Sequence, residues 1–185
     1  MNANAQDPSG AALRILVYGV TGSGKTTLAR RISERTGLPW HSVDDLTWEP
    51  GWVQVPLDEQ RRRIQAICDG PEWVLDTAYS QWREIPMACT ELIVALDYPR
   101  WMSLSRLVWR CLLRVVDGRT ICNGNRESLK LLFSKDSIVA WHFQSYKHKR
   151  DRIATWRQQQ GGPKIIRIQS QKQLEHWLNT LSRIH

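Results

Sequence analysis

Short apolar runs alternate along this chain with longer stretches in which apolar residues recur at helical spacing. The short runs, which predict buried strands, occupy residues 13–18, 38–43, 72–76, 91–97 and 164–168. The longer amphipathic stretches, which predict helices, occupy residues 25–36, 57–68, 99–116, 135–160 and 171–182. Strands that alternate with helices in this way are typical of an α/β fold built on a parallel sheet.

The length of 185 residues suits one domain with a substantial core. Residues 1–12 lack the apolar core of a signal peptide, so we expect a flexible tail followed by a single domain over 13–185. No apolar run approaches the length of a membrane span. The cysteines are Cys68, Cys89, Cys111 and Cys122. They form no C-x-x-C pair and no zinc-type spacing with histidine, which favours reduced thiols in a cytoplasmic protein.

The chain is basic, with 26 Lys and Arg against 18 Asp and Glu, a formal net charge of +8. This charge fits an anionic small-molecule ligand on an otherwise solvated surface, and it also fits a nucleic-acid partner. A phosphate-handling enzyme already needs many arginines, so the charge alone does not separate the two interpretations.

One glycine-rich stretch, residues 19–26, fits the Walker A pattern G-x-x-x-x-G-K-[ST] of a P-loop. It lies between the first predicted strand and the first predicted helix, which is the setting that the motif requires. Its glycines allow backbone amides and a helix N-terminus to surround phosphate oxygens, while Lys25 reaches the outer phosphates and Thr26 binds Mg²⁺. We therefore predict binding of ATP or GTP. The candidate nucleotide-binding residues are Gly19, Thr21, Gly22, Ser23, Gly24, Lys25, Thr26 and Thr27.

Two acids and two tryptophans follow the second predicted strand, at the edge of an open α/β sheet where ligands bind. Asp44 and Asp45 are candidates to accept hydrogen bonds from a substrate hydroxyl or amine, and one of them could act as a base. Trp48 is a candidate to contact the substrate. The alternative is that one acid caps a short helix and that Trp48 and Trp52 belong to the core.

The third predicted strand ends at Asp76, the position of a Walker-B-type acid. Its carboxylate is placed to orient Mg²⁺ or the water shell of Mg²⁺ beside Thr26, and the alternative is a structural carboxylate bonded to loop amides. Tyr79 and Arg83 follow at the same edge and are candidates to hold a substrate by stacking and charge. Arg83 is equally compatible with a surface position.

The helix predicted over 99–116 carries Arg106, Arg110 and Arg114 on one face. The polar, glycine-rich residues after it predict a lid over 115–135 that brings Arg119 and Arg126 to a phosphate site. Such arginines neutralise charge on the transferring group, and closure excludes water. The alternatives are a solvated arginine stripe and a plain surface loop.

The next predicted helix holds a basic cluster, composed of Lys147, His148, Lys149, Arg150 and Arg152. This cluster is the feature of the chain most typical of nucleic-acid binding. It also suits a second role, in which the helix that follows the lid supplies further arginines to the phosphates.

The order of these motifs resembles the nucleoside-monophosphate kinase group, and more closely the adenylate-kinase-related topology modulation (FlaR-type) proteins. The resemblance spans nearly the whole chain. It rests on residues 19–27, 46–53, 73–76, 79–80, 96–101, 125–128 and 133–137. It implies a three-layer P-loop NTPase fold with a five-stranded parallel sheet in the order 2-3-1-4-5, helices on both faces, a substrate-side helical arm over 44–72 and a lid.

The resemblance also implies roles for individual residues. Lys25 and Thr26 would hold the phosphates and Mg²⁺, and Asp76 matches the acid that ends the third strand. Arg110 or Arg114 would lie near the ATP base or phosphates, and Arg119 and Arg126 would be lid arginines. One departure bears on the acceptor. Ser80 stands where adenylate kinases carry the arginine that binds their substrate, which argues against AMP.

Together these observations predict an ATP-dependent phosphotransferase that acts on a nucleotide, a nucleoside or another small hydroxyl compound. Its catalytic residues would be Lys25, Asp76, Arg119 and Arg126, with ATP and Mg²⁺ as cofactors. The alternative is a regulator associated with nucleic acid that uses ATP as a switch. The sequence is compatible with a monomer or a dimer.

Overall fold

The fold is taken from a computed structural model that describes residues 13–117, 120–121, 125–126 and 138–181. Within these ranges the side chains of residues 114–117, 120–121, 125–126 and 138–141 are not described. The expected tail over 1–12 and Arg119 lie outside the described residues. The same holds for most of the expected lid and for the side chains of Arg114 and Arg126.

The secondary structure follows the predicted alternation of strands and helices. The strands are β1 Arg14–Gly19, β2 Trp40–His41, β3 Trp48–Glu49, β4 Val53–Gln54, β5 Trp73–Leu75, β6 Leu92–Leu96, β7 Thr120–Ile121, β8 Asn125–Arg126 and β9 Lys164–Ile168. The helices are α1 Lys25–Thr36, α2 Val43–Thr47, α3 Leu57–Cys68, α4 Glu84–Met87, α5 Arg100–Asp117, α6 Ile138–Gln158 and α7 Gln171–Leu178.

The main sheet has five parallel strands in the spatial order β2-β5-β1-β6-β9. Numbered along the chain among themselves, these strands stand in the order 2-3-1-4-5, so the predicted topology is confirmed. The central strand β1 pairs Leu16 with Leu75 on one side and with Ile93 on the other. Two short antiparallel hairpins, β3–β4 and β7–β8, lie outside this sheet.

Alternate residues of β1 point to opposite faces of the sheet, and each face is covered by helices. Ile15 and Val17 join a core cluster with Leu28 of α1 and Leu178 of α7. Leu16 and Tyr18 join the other cluster, which includes Ile64 of α3 and Ile153 of α6. The result is the expected three-layer α/β architecture. No helix among the described residues is long and apolar enough to cross a membrane.

The structure corrects the predictions around the second strand. This strand spans two residues rather than 38–43, because α2 already begins at Val43. The alternative in which Asp44 or Asp45 caps a short helix is wrong. Ser42 is the cap, and its side-chain oxygen accepts a hydrogen bond from the backbone N–H of Asp45. Both acids instead occupy the first turn, where a negative charge interacts favourably with the helix dipole.

The region predicted as a helical arm contains α2, the β3–β4 hairpin and α3. Arg63 joins these parts, since it bonds the Leu46 carbonyl oxygen at 3.1 Å and the Glu59 carboxylate at 2.8 Å. Arg62 also pairs with Glu59, and Arg61 pairs with Glu84 of α4 at 2.6 Å. The three consecutive arginines of α3 therefore make ion pairs within the protein.

Candidate active site

The loop between β1 and α1 packs closely against α5. Gly22 has a φ of 81°, and a Cβ at this residue would lie 2.4 Å from the Ser103 carbonyl oxygen. Gly24 also has a positive φ and immediately precedes α1, so the free N–H groups of the first helical turn border the loop. The Ser23 hydroxyl closes the loop from inside by donating to the Val20 carbonyl oxygen at 2.7 Å.

The other predicted P-loop residues occupy consecutive positions around this turn. Gly19 ends β1, and a Cβ there would lie 2.8 Å from the Leu96 carbonyl oxygen of the neighbouring strand. Thr21 is half-buried in the loop, and the exposed Thr26 and Thr27 belong to the first turn of α1. The turn therefore combines backbone amides, small residues and hydroxyl groups, which is the construction of a phosphate-binding loop.

Lys25 folds back over the loop, with Nζ donating to the Val20 carbonyl oxygen at 3.1 Å. Burial lowers the pKa of Lys25, as does the charge of Arg110, while the carboxylates of Asp44 and Asp76 act in the opposite direction. The two acids and Arg110 thus lie within electrostatic range of this ammonium. Arg110 is the one α5 arginine with a described side chain that borders Lys25.

Asp76 is buried next to the start of α1. One carboxylate oxygen accepts the Val43 backbone N–H at 3.0 Å, and the Thr26 hydroxyl also donates to the carboxylate. Burial raises the pKa of Asp76, and these two hydrogen bonds oppose the rise. A hydroxyl beside a carboxylate is a donor set that fits Mg²⁺, which takes oxygen ligands and keeps several waters. The structural alternative for Asp76 also has support, since its bond to Val43 positions α2.

Asp44 accepts a hydrogen bond from the Tyr79 hydroxyl. Burial raises the pKa of Tyr79, and the Asp44 carboxylate adds to the rise, so Tyr79 remains a protonated donor. Asp44 itself is half-buried, whereas Asp45 is exposed on the next position of α2. The Trp48 ring contacts Trp52 edge to face, with centroids 5.9 Å apart. Trp48 is half-buried and Trp52 is 37% exposed, so neither belongs to the buried core.

Sequence reasoning did not single out Lys149, which the structure places beside the P-loop. Its Nζ donates to the Gly19 carbonyl oxygen at 3.1 Å and lies 5.7 Å from the centre of the Tyr18 ring. Burial lowers the pKa of Lys149 to about 7, and the neighbouring charge of Lys25 contributes. The feature of the sequence that could have indicated this position is the spacing of Lys149 and Arg152, which puts both on one face of α6.

The remaining members of the basic cluster point to separate parts of the protein. Arg152 donates to the Tyr18 hydroxyl at 3.3 Å. Arg150 forms an ion pair with the buried carboxylate of Asp97 at 2.9 Å, on which Arg167 of β9 also converges. Lys147 and His148 are exposed. Two of the five residues, Lys149 and Arg152, therefore lie beside the strand that leads into the P-loop, which favours the second of the two roles predicted for the cluster.

The predicted arginines of α4 and α5 do not all converge. Arg83 is half-buried at the start of α4, and burial together with the charge of Arg152 lowers its pKa. Arg106 stacks on the Tyr98 ring at 4.9 Å and bonds Gln171 of α7 at 3.1 Å, so it faces a different part of the fold from Arg110.

Comparisons with known proteins bear on the fold. The chain is similar in structure to a shikimate kinase from Bacteroides thetaiotaomicron, with a TM-score of 0.55, 15% identity and coverage of 91% of this chain and 96% of that one. A deoxyadenosine kinase from M. mycoides matches with a TM-score of 0.53, 11% identity and coverage of 89% and 94%. A gluconokinase from Sinorhizobium meliloti 1021 matches with a TM-score of 0.50, 15% identity and coverage of 91% and 89%. The chain shares its fold with these kinases.

No protein-family model matches the chain, and no curated protein matches it in sequence. The shared fold covers nearly the whole of each compared chain. At these identities it establishes the three-layer architecture alone, since one fold hosts many chemistries.

Proposed function

We propose that this protein is an ATP-dependent small-molecule kinase that transfers the γ-phosphoryl group of ATP to an acceptor hydroxyl. The observation that carries the proposal is that the phosphate loop and the carboxylate of Asp44 lie close together at one edge of the sheet. Lys25 of the phosphate loop lies within electrostatic range of Asp44. Asp44 already accepts a hydrogen bond from Tyr79, and its carboxylate can also accept one from an acceptor hydroxyl. The kinases that share the fold act on small molecules, which supports the same reaction class.

The chain's own residues account for the steps of such a transfer. Lys25 and the loop amides hold the β and γ phosphates, and Thr26 and Asp76 are the residues that would hold Mg²⁺. When bound, this ion supplies charge neutralisation on the phosphate oxygens. Asp44 orients the acceptor hydroxyl and receives its proton, while the hydrogen bond from Tyr79 holds the carboxylate.

The transfer itself forms one bond and breaks another. The acceptor oxygen bonds to the γ phosphorus as the bond from that phosphorus to the β–γ bridging oxygen breaks, so that ADP leaves. The hydroxyl proton passes to Asp44 and then to solvent. Lys149 and Arg110 add positive charge beside the phosphates, and Arg119 and Arg126 of the expected lid would join them on closure.

Acceptor-dependent formation of ADP tests this proposal. Purified protein with ATP and Mg²⁺ is assayed against nucleosides, nucleotides, sugar acids and polyols. We expect one class to raise ADP production, and Lys25→Ala to reduce that turnover by orders of magnitude, because the phosphates lose their closest cation. The exposed Lys147→Ala is the matched control. Full phosphoryl transfer by Lys25→Ala would remove Lys25 from the mechanism.

The alternative of a nucleic-acid-associated regulator draws on the resemblance to topology modulation proteins. We rank it lower, because Lys149, Arg150 and Arg152 contact the P-loop strand or Asp97 rather than forming one outward basic surface. ATP binding without stimulation by any acceptor, combined with salt-dependent DNA binding, would reverse this order.

A further inference from the structure

Arg83 contains a buried cationic nitrogen that the protein itself does not satisfy. Its Nη1 is shielded from solvent and has no hydrogen-bond partner among the described residues. A buried donor without a partner costs free energy, and the cost is greater for a charged group. The nearest acid in sequence, Glu84, is exposed and forms its ion pair with Arg61 instead.

A second positive charge, that of Arg152, makes burial of the Arg83 guanidinium group less favourable. Arg152 reaches toward the same region from α6, and its positive charge acts on Arg83. Arg152 is half-buried and donates to the Tyr18 hydroxyl at 3.3 Å. Among the described residues, no carboxylate forms an ion pair with either guanidinium.

Three other partly buried arginines of this protein have carboxylate partners. Arg31 pairs with Glu175, Arg14 with Glu91 and Arg167 with Asp97, all at hydrogen-bonding distance. Arg83 and Arg152 have no such partner among the described residues, and two guanidinium groups within electrostatic range of each other attract an oxyanion. Unfavourable arrangements of this kind tend to be kept at ligand sites, where a bound partner compensates them.

The arginine pair also lies next to the proposed acceptor site. Trp82, which precedes Arg83, packs its ring 5.5 Å from the ring of Tyr79. Tyr79 in turn holds Asp44. On the other side, Tyr18 directly precedes Gly19 of the P-loop. Tyr18, Trp82 and Ile153, which are chain neighbours of Gly19, Arg83 and Arg152, belong to one core cluster, against which Tyr79 also packs. The pair therefore lies near both Tyr79 and the strand that leads into the P-loop.

We propose that Arg83 and Arg152 form an oxyanion subsite for the acceptor, which is therefore a hydroxyl compound that carries a carboxylate or a phosphate. The anionic group binds both guanidinium groups, beside the Tyr18 hydroxyl, while the reacting hydroxyl faces Asp44. This inference rests on the proposed kinase function. It narrows the acceptor to sugar acids, hydroxy acids or phosphorylated compounds, and it excludes neutral nucleosides and polyols.

Binding of a simple anion tests the subsite independently of catalysis. The protein is saturated with ADP and Mg²⁺ so that the P-loop is occupied, and inorganic phosphate is then titrated by calorimetry and by thermal unfolding. We expect phosphate to bind and to raise the Tm of the wild type, with the affinity falling about 10-fold or more in Arg83→Gln and Arg152→Gln, since each removes a charge-assisted hydrogen bond. The control is Arg62→Gln, whose side chain is 78% exposed.

The thermal stability of the variants without phosphate provides a second readout. Without phosphate, Arg83→Gln should keep or raise the Tm, because the substitution removes a buried and unpaired charge, whereas a structural arginine would lower it. The subsite is refuted if phosphate binds the wild type and both variants alike, if it does not bind the wild type, or if Arg83→Gln unfolds the free protein.

The acceptor assay then distinguishes the two sources of the anion and separates this inference from the kinase proposal. Turnover of a carboxylated or a phosphorylated acceptor, with KM raised about 10-fold or more in Arg152→Gln, supports the subsite and names its ligand. Turnover of neutral acceptors alone, with KM unchanged in both variants, refutes the subsite and leaves the kinase function intact. Phosphate binding without any turnover keeps the anion site and refutes the kinase function.

Discussion

Lys149 donates a hydrogen bond from Nζ to the carbonyl oxygen of Gly19, 3.1 Å away, and so joins α6 to the last residue of the central strand. The same ammonium lies close enough to Lys25 for the two charges to repel. The two lysines donate to the carbonyl oxygens of consecutive residues, Lys25 to that of Val20 and Lys149 to that of Gly19. A polyphosphate at this turn would offer both of them stronger partners.

The first prediction concerns proton uptake on nucleotide binding. The pKa of Lys149, about 7 in the folded protein, lies below its ordinary value of 10.5, so Lys149 is mostly neutral at pH 8.5. Phosphate charge raises this pKa, and ATP binding at pH 8.5 should therefore take up a proton and weaken as the pH rises further. Calorimetry in buffers of different ionisation enthalpy measures the uptake.

Lys149→Met should reduce this uptake and weaken ATP binding about 10- to 100-fold, the effect of losing one hydrogen bond to a charged group. Lys147→Met, an exposed position on the same helix, is the control. The lowered pKa of Lys149 also makes the stability of the folded protein depend on pH. Between pH 7 and about 10 the unfolded chain binds more protons at this lysine, so the nucleotide-free protein should become more stable as the pH rises. An enthalpy of ATP binding that is the same in all buffers would contradict proton uptake by Lys149.

The fold was predictable from the sequence because its strongest signals are local. The strand Leu92–Leu96 is an uninterrupted apolar run that is buried throughout, and the P-loop glycines stand at fixed spacings between a strand and a helix. The contact between Lys149 and Gly19 joins residues 130 positions apart, and no local pattern reports it. Periodicity placed Lys149 in a helix, yet the face that this helix turns to the P-loop depends on tertiary packing.

The second prediction concerns Asp97, whose side chain is only 3% exposed and forms ion pairs with Arg150 and Arg167. These contacts fasten α6 and β9 to the end of β6. Asp97→Asn should lower the free energy of unfolding by about 2–3 kcal/mol, less than the ~3–5 kcal/mol of a fully buried pair because both arginines are partly exposed. Urea unfolding measures the loss.

The matched control is Glu34→Gln, which removes an exposed ion pair to Arg30 with atoms 3.9 Å apart. We expect this change to cost less than about 0.5 kcal/mol, since exposed helical pairs contribute little. Equal effects of the two substitutions would show that Asp97 does not anchor α6.

The third prediction separates the roles of Asp44 and Tyr79. Asp44→Asn should reduce kcat by about 10²- to 10⁴-fold, the range for loss of a general base, with KM changed less. Tyr79→Phe keeps the carboxylate but removes the donor that orients it, so a loss of about 10-fold is expected. Steady-state kinetics with the identified acceptor measure both.

The exposed Asp58→Asn serves as the control for this pair of variants. If Asp44 only supports the fold, Asp44→Asn will lower the Tm and leave kcat per folded molecule unchanged. If Tyr79 contacts the acceptor directly instead of orienting Asp44, Tyr79→Phe will raise KM rather than lower kcat.

The last prediction uses two glycines with the same backbone conformation in different surroundings. Gly22 and Gly161 have φ values of 81° and 78°, so alanine is strained at either position. At Gly161 nothing lies within 4 Å of an added Cβ, whereas at Gly22 the Cβ would meet the Ser103 carbonyl oxygen at 2.4 Å and the Leu107 side chain at 2.8 Å. The contact with Ser103 is with backbone, which cannot turn away as a flexible side chain can.

Gly161→Ala should therefore cost about 1 kcal/mol of stability, the strain of the left-handed conformation alone, and should leave ATP affinity unchanged. Gly22→Ala must also push the P-loop away from α5, which displaces the amides that face the phosphates. We expect a larger loss of stability and at least a 10-fold weaker affinity for ATP, measured by calorimetry beside the unfolding curves. Equal ATP affinity in the two variants would mean that the packing of the loop against α5 does not shape the nucleotide site.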